Sequence, residues 1–405
     1  MAMEEGMEGF VHPDFGSVTE KMQQLMSKRS AIGGMALAVY HRGELVADAW
    51  TGEADAAGTP WGRDTMSISF STTKGVVATI AHRLADRGLL DYDARVADYW
   101  PEFGAAGKEH ITVRHLLTHQ AAMHDVRRLA DSTDELLDWG RMTTLLAAAA
   151  PEWEVGRWSG YHALTYGWLV GEVIRRITGL TVNEVLQREI ARPLGVEGEM
   201  YIGVPVGDRD RVANLVYDEE KGIRTLRLID KLSRFSRYEP IHSAMVIDDM
   251  IDVFPADRIH DGEIPAANGS FTARSLATMY SALITPDAHD GAPLLSPEAL
   301  DRATTIQHQL GTDGSGSDEL VGRDRVINFN MRWRLGYHLA PTTAGILPKG
   351  FGHFGFGGSG GWADPDSGVA MAMVLNRVGG SPFGDTQMLR LGGAAIRAAK
   401  RRTAA

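Results

Sequence analysis

Residues 71–89 read STTKGVVATIAHRLADRGL, a Ser-x-x-Lys sequence that runs directly into an apolar segment. Val76, Val77 and Ile80 recur at helical spacing, which predicts a helix over residues 72–89. The chain of 405 residues contains no other Ser-x-x-Lys. A serine and a lysine three positions apart are therefore expected at the start of a largely apolar helix.

The sequence on both sides of this helix is typical of a sheet. Residues 34–50 hold two apolar runs separated by a short turn with Gly43, which predicts a β-hairpin. Near the other end, residues 368–376 read GVAMAMVLN, which predicts a buried strand. Residues 385–401 predict a last helix that ends in basic side chains.

The middle of the chain is mainly helical. Thr112, Thr181 and Thr272 are placed to cap helices, and residues 166–177 are apolar on more than one face. The pattern predicts an α+β protein with an antiparallel sheet built from both chain termini.

The expected domain organisation is discontinuous. Residues 1–90 and 270–405 form the predicted sheet-containing domain, and residues 91–269 form an inserted, mainly helical domain. Within the inserted part, residues 203–268 are expected to supply a wall of the cleft.

The Ser-x-x-Lys sequence can carry nucleophilic chemistry. Residues three apart share a helix face, so the Lys74 amine can lie beside the Ser71 hydroxyl. A desolvated lysine can take the proton of a serine, and a helix N-terminus presents backbone N–H groups to an oxyanion. A solvated helix start is the alternative explanation of the same spacing.

Two further motifs follow. Residues 159–163 read SGYHA, in which Tyr161 could shuttle a proton if the lysine charge favoured its phenolate; aromatic packing at a helix entry is the alternative. Residues 353–362 read HFGFGGSGGW, and their glycines allow backbone to approach a ligand and to supply a second oxyanion N–H. A glycine-rich turn between strands would have the same composition.

The three motifs in this order resemble those of the serine β-lactamase and D-alanyl-D-alanine peptidase superfamily. The flanking residues 111–119, 161–179 and 361–365 agree, and the similarity is greatest to the class C-like branch and its family VIII carboxylesterases. The resemblance implies the fold of that superfamily. It also implies that Ser71 is the nucleophile, Lys74 its base and Tyr161 the tyrosine of the second motif.

The same resemblance assigns the third motif. His353 takes the position of its Lys or His, and the backbone N–H groups of Ser71 and Phe356 would form the oxyanion hole. The expected substrate-binding residues are His353, Phe354, Gly355 and Trp362.

Two departures from the superfamily pattern favour ester substrates. The usual Tyr-x-Asn is Tyr161-His162-Ala163, so the amide that would bind an acylamido group is missing. The hydroxyl residue that normally follows the first residue of the third motif is replaced by Phe354. Unmet hydrogen bonds to a polar substrate are costly, which argues against an efficient β-lactamase or peptidase.

Two other sequence patterns indicate competing sites. Residues 357–361 fit the Gly-x-Ser-x-Gly of α/β-hydrolases around Ser359, but no histidine follows and too little chain remains. His115 and His119 have a spacing that can bind zinc but lack a catalytic carboxylate, so they are expected to be structural or surface histidines. No metal and no cofactor are predicted.

The composition of the chain limits the classes of partner that are expected. A net charge of -11 disfavours nucleic acid and anionic membrane, and the absence of cysteine excludes disulfides and thiolate catalysis. No apolar run is long enough for a membrane span, and no secretory signal is visible, so a cytoplasmic location is expected.

The predicted activity is hydrolysis of small or medium carboxylic esters through a Ser71 acyl-enzyme. The alternatives are an acyltransferase using the same acyl-enzyme and a weak β-lactamase or D-amino peptidase. A catalytically silent sensor or scaffold of this fold would be expected to have lost Ser71, Lys74 or Tyr161.

Overall fold

The computed structural model describes residues 6–27, 33–217, 239–245, 254, 257–289, 293–311, 315–378 and 386–404. Its strands, in chain order, are β1 (Met7–Val11), β2 (Gly34–His41), β3 (Glu44–Gly52), β4 (Met66–Ile68), β5 (Met200–Ile202), β6 (Val212–Ala213), β7 (Val216–Tyr217), β8 (Gly269–Phe271), β9 (His308–Leu310), β10 (Gly316–Leu320), β11 (His338–Thr342), β12 (Gly345–Phe354), β13 (Gly360–Asp364), β14 (Val369–Leu375) and β15 (Arg377–Val378).

The helices occupy most of the stretch between β4 and β8 and flank the sheet elsewhere. They are α1 (Gly16–Ser27), α2 (Thr72–Asp86), α3 (Val96–Tyr99), α4 (Val113–Leu117), α5 (Thr133–Leu137), α6 (Trp139–Ala148), α7 (Thr165–Thr178), α8 (Val182–Leu186), α9 (Glu239–Met245), α10 (Ala273–Ile284), α11 (Pro297–Thr304) and α12 (Gln387–Ala404). No described helix is long and apolar enough to cross a bilayer.

The main sheet has seven strands in the order β1-β3-β2-β14-β13-β12-β11, and every neighbouring pair is antiparallel. The predicted hairpin is β2 and β3, joined at Arg42 and Gly43, which both have the positive φ of a tight hairpin turn. The predicted C-terminal strand is β14, which pairs with β2. The sheet is therefore built from both ends of the chain, and the predicted fold class is confirmed.

Both faces of this sheet are covered by helices. Met371 and Met373 of β14 lie in the cluster with α1 and α12, whereas Ala370 and Ala372 lie in the cluster with α2 and α10. Alternate residues of a strand point to opposite faces, so the large side chains are on one face and the small ones on the other. Because alanines leave room, α10 packs closely against β14 on the face that also carries α2.

The helix predictions agree with the structure at their starts and differ at some ends. Thr112, Thr181 and Thr272 cap α4, α8 and α10 as predicted. Helix α2 ends at Asp86, because Gly88 takes a positive φ of 72° and turns the chain away. The predicted start of the last helix, Asp385, lies outside the described residues.

The division into two domains stays a prediction. Helices α3 to α8 follow one another between β4 and β5, and a four-stranded sheet in the order β5-β8-β4-β6 joins this region to the chain near α2. Much of the predicted cleft wall, including residues 218–238 and 246–253, lies outside the described residues.

Candidate active site

The backbone turns sharply where β4 leads into α2. Phe70 has a φ of 46°, which is uncommon for a side chain of this size. The turn is held because Thr73 Oγ1 donates to the carbonyl O of Phe70 at 2.6 Å and Ser69 N donates to the carbonyl O of Gly269 at 2.8 Å. Ser71 follows as the N-cap of α2, and its side chain makes no capping bond. The partly buried Ser71 hydroxyl is therefore available to the side chains that face the start of α2.

The Lys74 amine has three partners. Nζ lies 3.1 Å from Ser71 Oγ, 2.7 Å from the carbonyl O of Ala163 and 3.0 Å from the carbonyl O of Ala266. Lys74 is fully buried, and burial lowers its pKa well below the usual 10.5. A neutral amine has two N–H donors and one lone pair. When the two carbonyls accept both donors of the neutral amine, its lone pair is left for Ser71 Oγ.

Tyr161 lies next to this pair, in the loop that leads into α7. Its hydroxyl interacts with the side chain of Ser71, and Lys74 Nζ is 4.9 Å from the centre of its ring. Trp333 stacks on that ring with centroids 5.8 Å apart and planes at 9°. Burial raises the pKa of Tyr161, so the phenol keeps its proton. The phenolate that a lysine charge could favour is therefore disfavoured, because burial opposes both the charge of Tyr161 and the charge of Lys74.

The third motif reaches the start of α2 through its glycines. A Cβ on Gly355 would collide with the carbonyl O of Ser69, and Thr72 Oγ1 donates to the carbonyl O of Ser359 at 3.1 Å. The rings of Phe70 and Phe356 meet edge to face at 5.7 Å. The loop that carries the Phe356 amide therefore lies directly against the turn that carries Ser71.

His353 faces the same cluster from the end of β12. It is 2% exposed, and its ring lies 6.3 Å from that of Tyr161 and 4.5 Å from that of His338. Nδ1 lies 3.0 Å from the carbonyl O of Phe354, and burial lowers the pKa of the ring well below its usual range. The ring is therefore neutral, with Nδ1 protonated toward that carbonyl and Nε2 left as an acceptor.

Two predicted substrate contacts disagree with the structure. In the pairing of β12 with β13, His353 is opposite Gly361, and a Cβ on Gly361 would meet Tyr280 of α10. The neighbours Trp362 and Phe354 must point to the other face of the sheet. Trp362 is fully buried in the cluster beneath α12, and Phe354 packs against that cluster. The prediction that these two side chains bind substrate is corrected on this ground.

Ser359 and the two spaced histidines have structural partners. Ser359 is 1% exposed, and its Oγ accepts from Leu375 N at 3.2 Å, so it is not presented on a strand-to-helix elbow. His115 Nε2 lies 3.1 Å from the carbonyl O of Gly311, and His119 Nδ1 accepts from His162 N at 3.2 Å.

Several residues around Tyr161 were not found from the sequence. Trp333 stacks on its ring, His119 packs against it at 5.0 Å, and Asp324 Oδ1 accepts from its backbone N at 3.0 Å. Asp324 sits in a polar run with no motif spacing, and Trp333 lies 172 positions after Tyr161 (333 minus 161). Phe254, from the segment predicted to form a cleft wall, stacks on Phe70 with ring centroids 5.7 Å apart.

Comparison with known proteins identifies the family. The Beta-lactamase family model matches residues 18–394, so the chain belongs to the beta-lactamase family. It is 39% identical over 373 residues to "Esterase/beta-lactamase LipL" of Mycobacterium tuberculosis, covering 91% of this chain and 83% of that protein.

Two solved structures are similar over almost their full length. One is a family VIII carboxylesterase, with a TM-score of 0.83, 33% identity and coverage of 98% of this chain and 99% of the other. The second is a penicillin-binding protein homolog from Caulobacter crescentus, with a TM-score of 0.81, 34% identity and coverage of 97% and 99%. These similarities confirm the family that the three motifs indicate.

The contact between Gly355 and Ser69 predicts a measurable effect on activity. In Gly355→Ala the new methyl group collides with backbone that cannot yield, so the Phe356 amide should move away from Ser71. We expect kcat for an ester substrate to fall by about tenfold to a hundredfold. Gly316→Ala is the matched control, because a Cβ at Gly316 meets nothing within 4 Å. Equal kcat for both variants would contradict the predicted contact.

Proposed function

We propose that this protein is a serine carboxylesterase that hydrolyses small or medium carboxylic esters through an acyl-enzyme on Ser71. The observation that carries the proposal is the fully buried Lys74 amine, 3.1 Å from Ser71 Oγ with both its N–H donors directed at carbonyls. The names of the relatives support it, since they include an esterase and a family VIII carboxylesterase.

In the first step Ser71 Oγ attacks the ester carbonyl while the Lys74 lone pair takes its proton. The C–O double bond opens to an oxyanion, which the backbone N–H groups of Ser71 and Phe356 stabilise. As the tetrahedral intermediate collapses, the bond to the alkoxy group breaks. Tyr161 donates its phenolic proton to the departing alkoxide and regains one from the Lys74 ammonium, so both groups end neutral.

The second step is the first in reverse, with water in place of the alcohol and Ser71 Oγ as the leaving group. Water attacks the acyl carbon of the Ser71 ester, and its proton passes to the Tyr161 and Lys74 pair. The pair then returns a proton to Ser71 Oγ as the acid leaves. His353 lies beside Tyr161, and its buried Nε2, which has no partner among the described residues, can accept a hydrogen bond from the substrate or the leaving group.

The preference for esters rests on what surrounds Ser71. Ala163 contributes only a backbone carbonyl, which is occupied by Lys74, so it offers no amide to an acylamido substrate. The position after His353 holds Phe354, which packs toward the opposite face of the sheet and has no hydroxyl. An ester with a good leaving group needs neither contact, whereas a β-lactam or peptide would lose both.

A weak β-lactamase activity is the second candidate, because the similar Mycobacterium tuberculosis protein is named for both activities. An acyltransferase would share the acyl-enzyme and use an alcohol as acceptor. Adding methanol and measuring methyl ester against free acid distinguishes transfer from hydrolysis. A cytoplasmic location remains a prediction from the sequence.

Replacing the two candidate serines separates the two possible nucleophiles. With p-nitrophenyl butyrate, we expect Ser71→Ala to lower kcat at least about a thousandfold, to the background of the assay. Ser359→Ala removes a hydroxyl that bonds the strand backbone, so its kcat should stay within about tenfold of wild type. Full activity in a folded Ser71→Ala variant would contradict the assignment of the nucleophile.

The pH profile should report the state of Lys74. Since only the neutral amine can take the Ser71 proton, kcat/KM should rise by about tenfold for each pH unit below its pKa and then level off. Because burial lowers that pKa, the midpoint should lie well below 10.5. Lys74→Arg carries a permanent charge and should stay at background at every pH. A rise centred near the ordinary lysine pKa of 10.5, or an active Lys74→Arg variant, would refute this role.

A further inference from the structure

The backbone on either side of Tyr161 is held by residues from distant segments. Gly160 N donates to the carbonyl O of His119 at 2.8 Å, and His162 N donates to His119 Nδ1 at 3.2 Å. Arg325 N donates to the carbonyl O of Ser159 at 2.9 Å. The second motif is therefore fixed against two other parts of the chain, one around His119 and one that begins at residue 324.

Asp324 makes the bond to the Tyr161 peptide itself. Its carboxylate is fully buried, and Oδ1 accepts from Tyr161 N at 3.0 Å, from Val326 N at 2.9 Å and from Ile327 N at 3.1 Å. The last two bonds close a local turn, which any aspartate at a turn can do. The bond to Tyr161 spans 163 positions in sequence and has no local purpose.

The loop that carries Asp324 is itself rigidly closed. Asp324 N donates to the carbonyl O of Phe329 at 3.0 Å, and Asn328 N donates to the carbonyl O of Asp324 at 2.9 Å. Val326 and Ile327 of this loop pack in the same apolar cluster as Tyr161. A carboxylate held this firmly can determine where the peptide that it binds will lie.

The charge of Asp324 also acts on the phenol. Burial raises the pKa of Asp324, while the three backbone N–H groups that it accepts from favour its ionised form. A carboxylate at this place raises the pKa of Tyr161 further, in the same direction as burial. The phenol therefore keeps the proton that the proposed mechanism requires it to donate.

We propose that Asp324 is a positioning residue, whose carboxylate fixes the Tyr161 backbone and so sets the place of its hydroxyl relative to Ser71 and the leaving group. This inference rests on the proposed esterase function. Trp333 fixes the plane of the Tyr161 ring, and Asp324 fixes the peptide from which the ring extends. A displacement of about 1 Å at a reacting group can lower a rate by about a hundredfold.

The test compares Asp324→Ala and Asp324→Asn with a matched control. Asparagine keeps an oxygen that can accept the N–H of Tyr161, and alanine keeps none. Asp364→Ala removes another buried carboxylate, 2% exposed, that accepts a backbone N–H from Ser367 at 3.0 Å at the far end of β13. The Asp364→Ala variant therefore reports the effect of losing a buried, hydrogen-bonded carboxylate at a place away from Ser71.

For p-nitrophenyl butyrate we expect Asp324→Ala to lower kcat by about a hundredfold with KM within about threefold of wild type. Asp324→Asn should recover kcat to within about tenfold of wild type, and Asp364→Ala should leave kcat unchanged. A merely structural role would lower kcat in Asp364→Ala as much as in Asp324→Ala, or would raise KM strongly while kcat falls. Either result would overturn the proposal.

Amide hydrogen exchange gives a second readout that does not depend on activity. The peptide containing Tyr161 should exchange faster in Asp324→Ala than in wild type or Asp364→Ala; unchanged exchange would overturn the proposal. If Asp324→Ala does not fold, Asp324→Ser takes its place. Wild-type kcat in Asp324→Ala, with Ser71→Ala at background, would reject the positioning role and leave the esterase function intact. If the wild-type protein hydrolyses no ester, the proposed esterase function is rejected. The hydrogen-exchange comparison alone then tests whether Asp324 holds the Tyr161 backbone.

Discussion

The structure around the site depends on one buried amine. Lys74 Nζ joins three parts of the chain, because it bonds Ser71 on its own helix, the carbonyl O of Ala163 in the second motif and the carbonyl O of Ala266 before β8. An ionised amine without a counter-ion would be unfavourable at this depth, and no carboxylate bonds it among the described residues. Burial destabilises the ammonium form of Lys74 and so favours the neutral amine. The lone pair of the neutral amine can then face Ser71 Oγ.

The other site residues are brought to the Lys74 amine by the packing of helices and loops against the main sheet. The alanine face of β14 admits α10 against the sheet, and α2 lies on the same face with His353 above it. The glycine at position 355 allows the third motif to touch the turn before Ser71. Tyr161 closes the other side, with its phenol protonated because it too is buried. Two neutral groups that exchange one proton can serve both acylation and deacylation without a stable ion pair.

Sequence patterns predicted the fold, because hairpins and helix caps are local signals, and they singled out three segments that lie together in the structure. They failed where the answer depends on which way a strand side chain points. His353 faces α2, so Phe354 and Trp362 face α12, a consequence of strand alternation that becomes decisive only once β12 and β13 are paired. Asp324 could not be predicted at all, since its bond to Tyr161 spans 163 positions and no motif marks its place in the sequence. Contacts of this kind come from tertiary packing.

The proposed mechanism requires that Ser71 becomes acylated, with Lys74 as its base. Labelling the protein with a p-nitrophenyl phosphonate ester, followed by peptide mapping in a mass spectrometer, tests it most directly. We expect a single adduct on the peptide that begins α2, located at Ser71 and absent from Ser71→Ala. An adduct on Ser359 or another residue, or ester turnover that continues with Ser71 unlabelled and the inhibitor in excess, would contradict it.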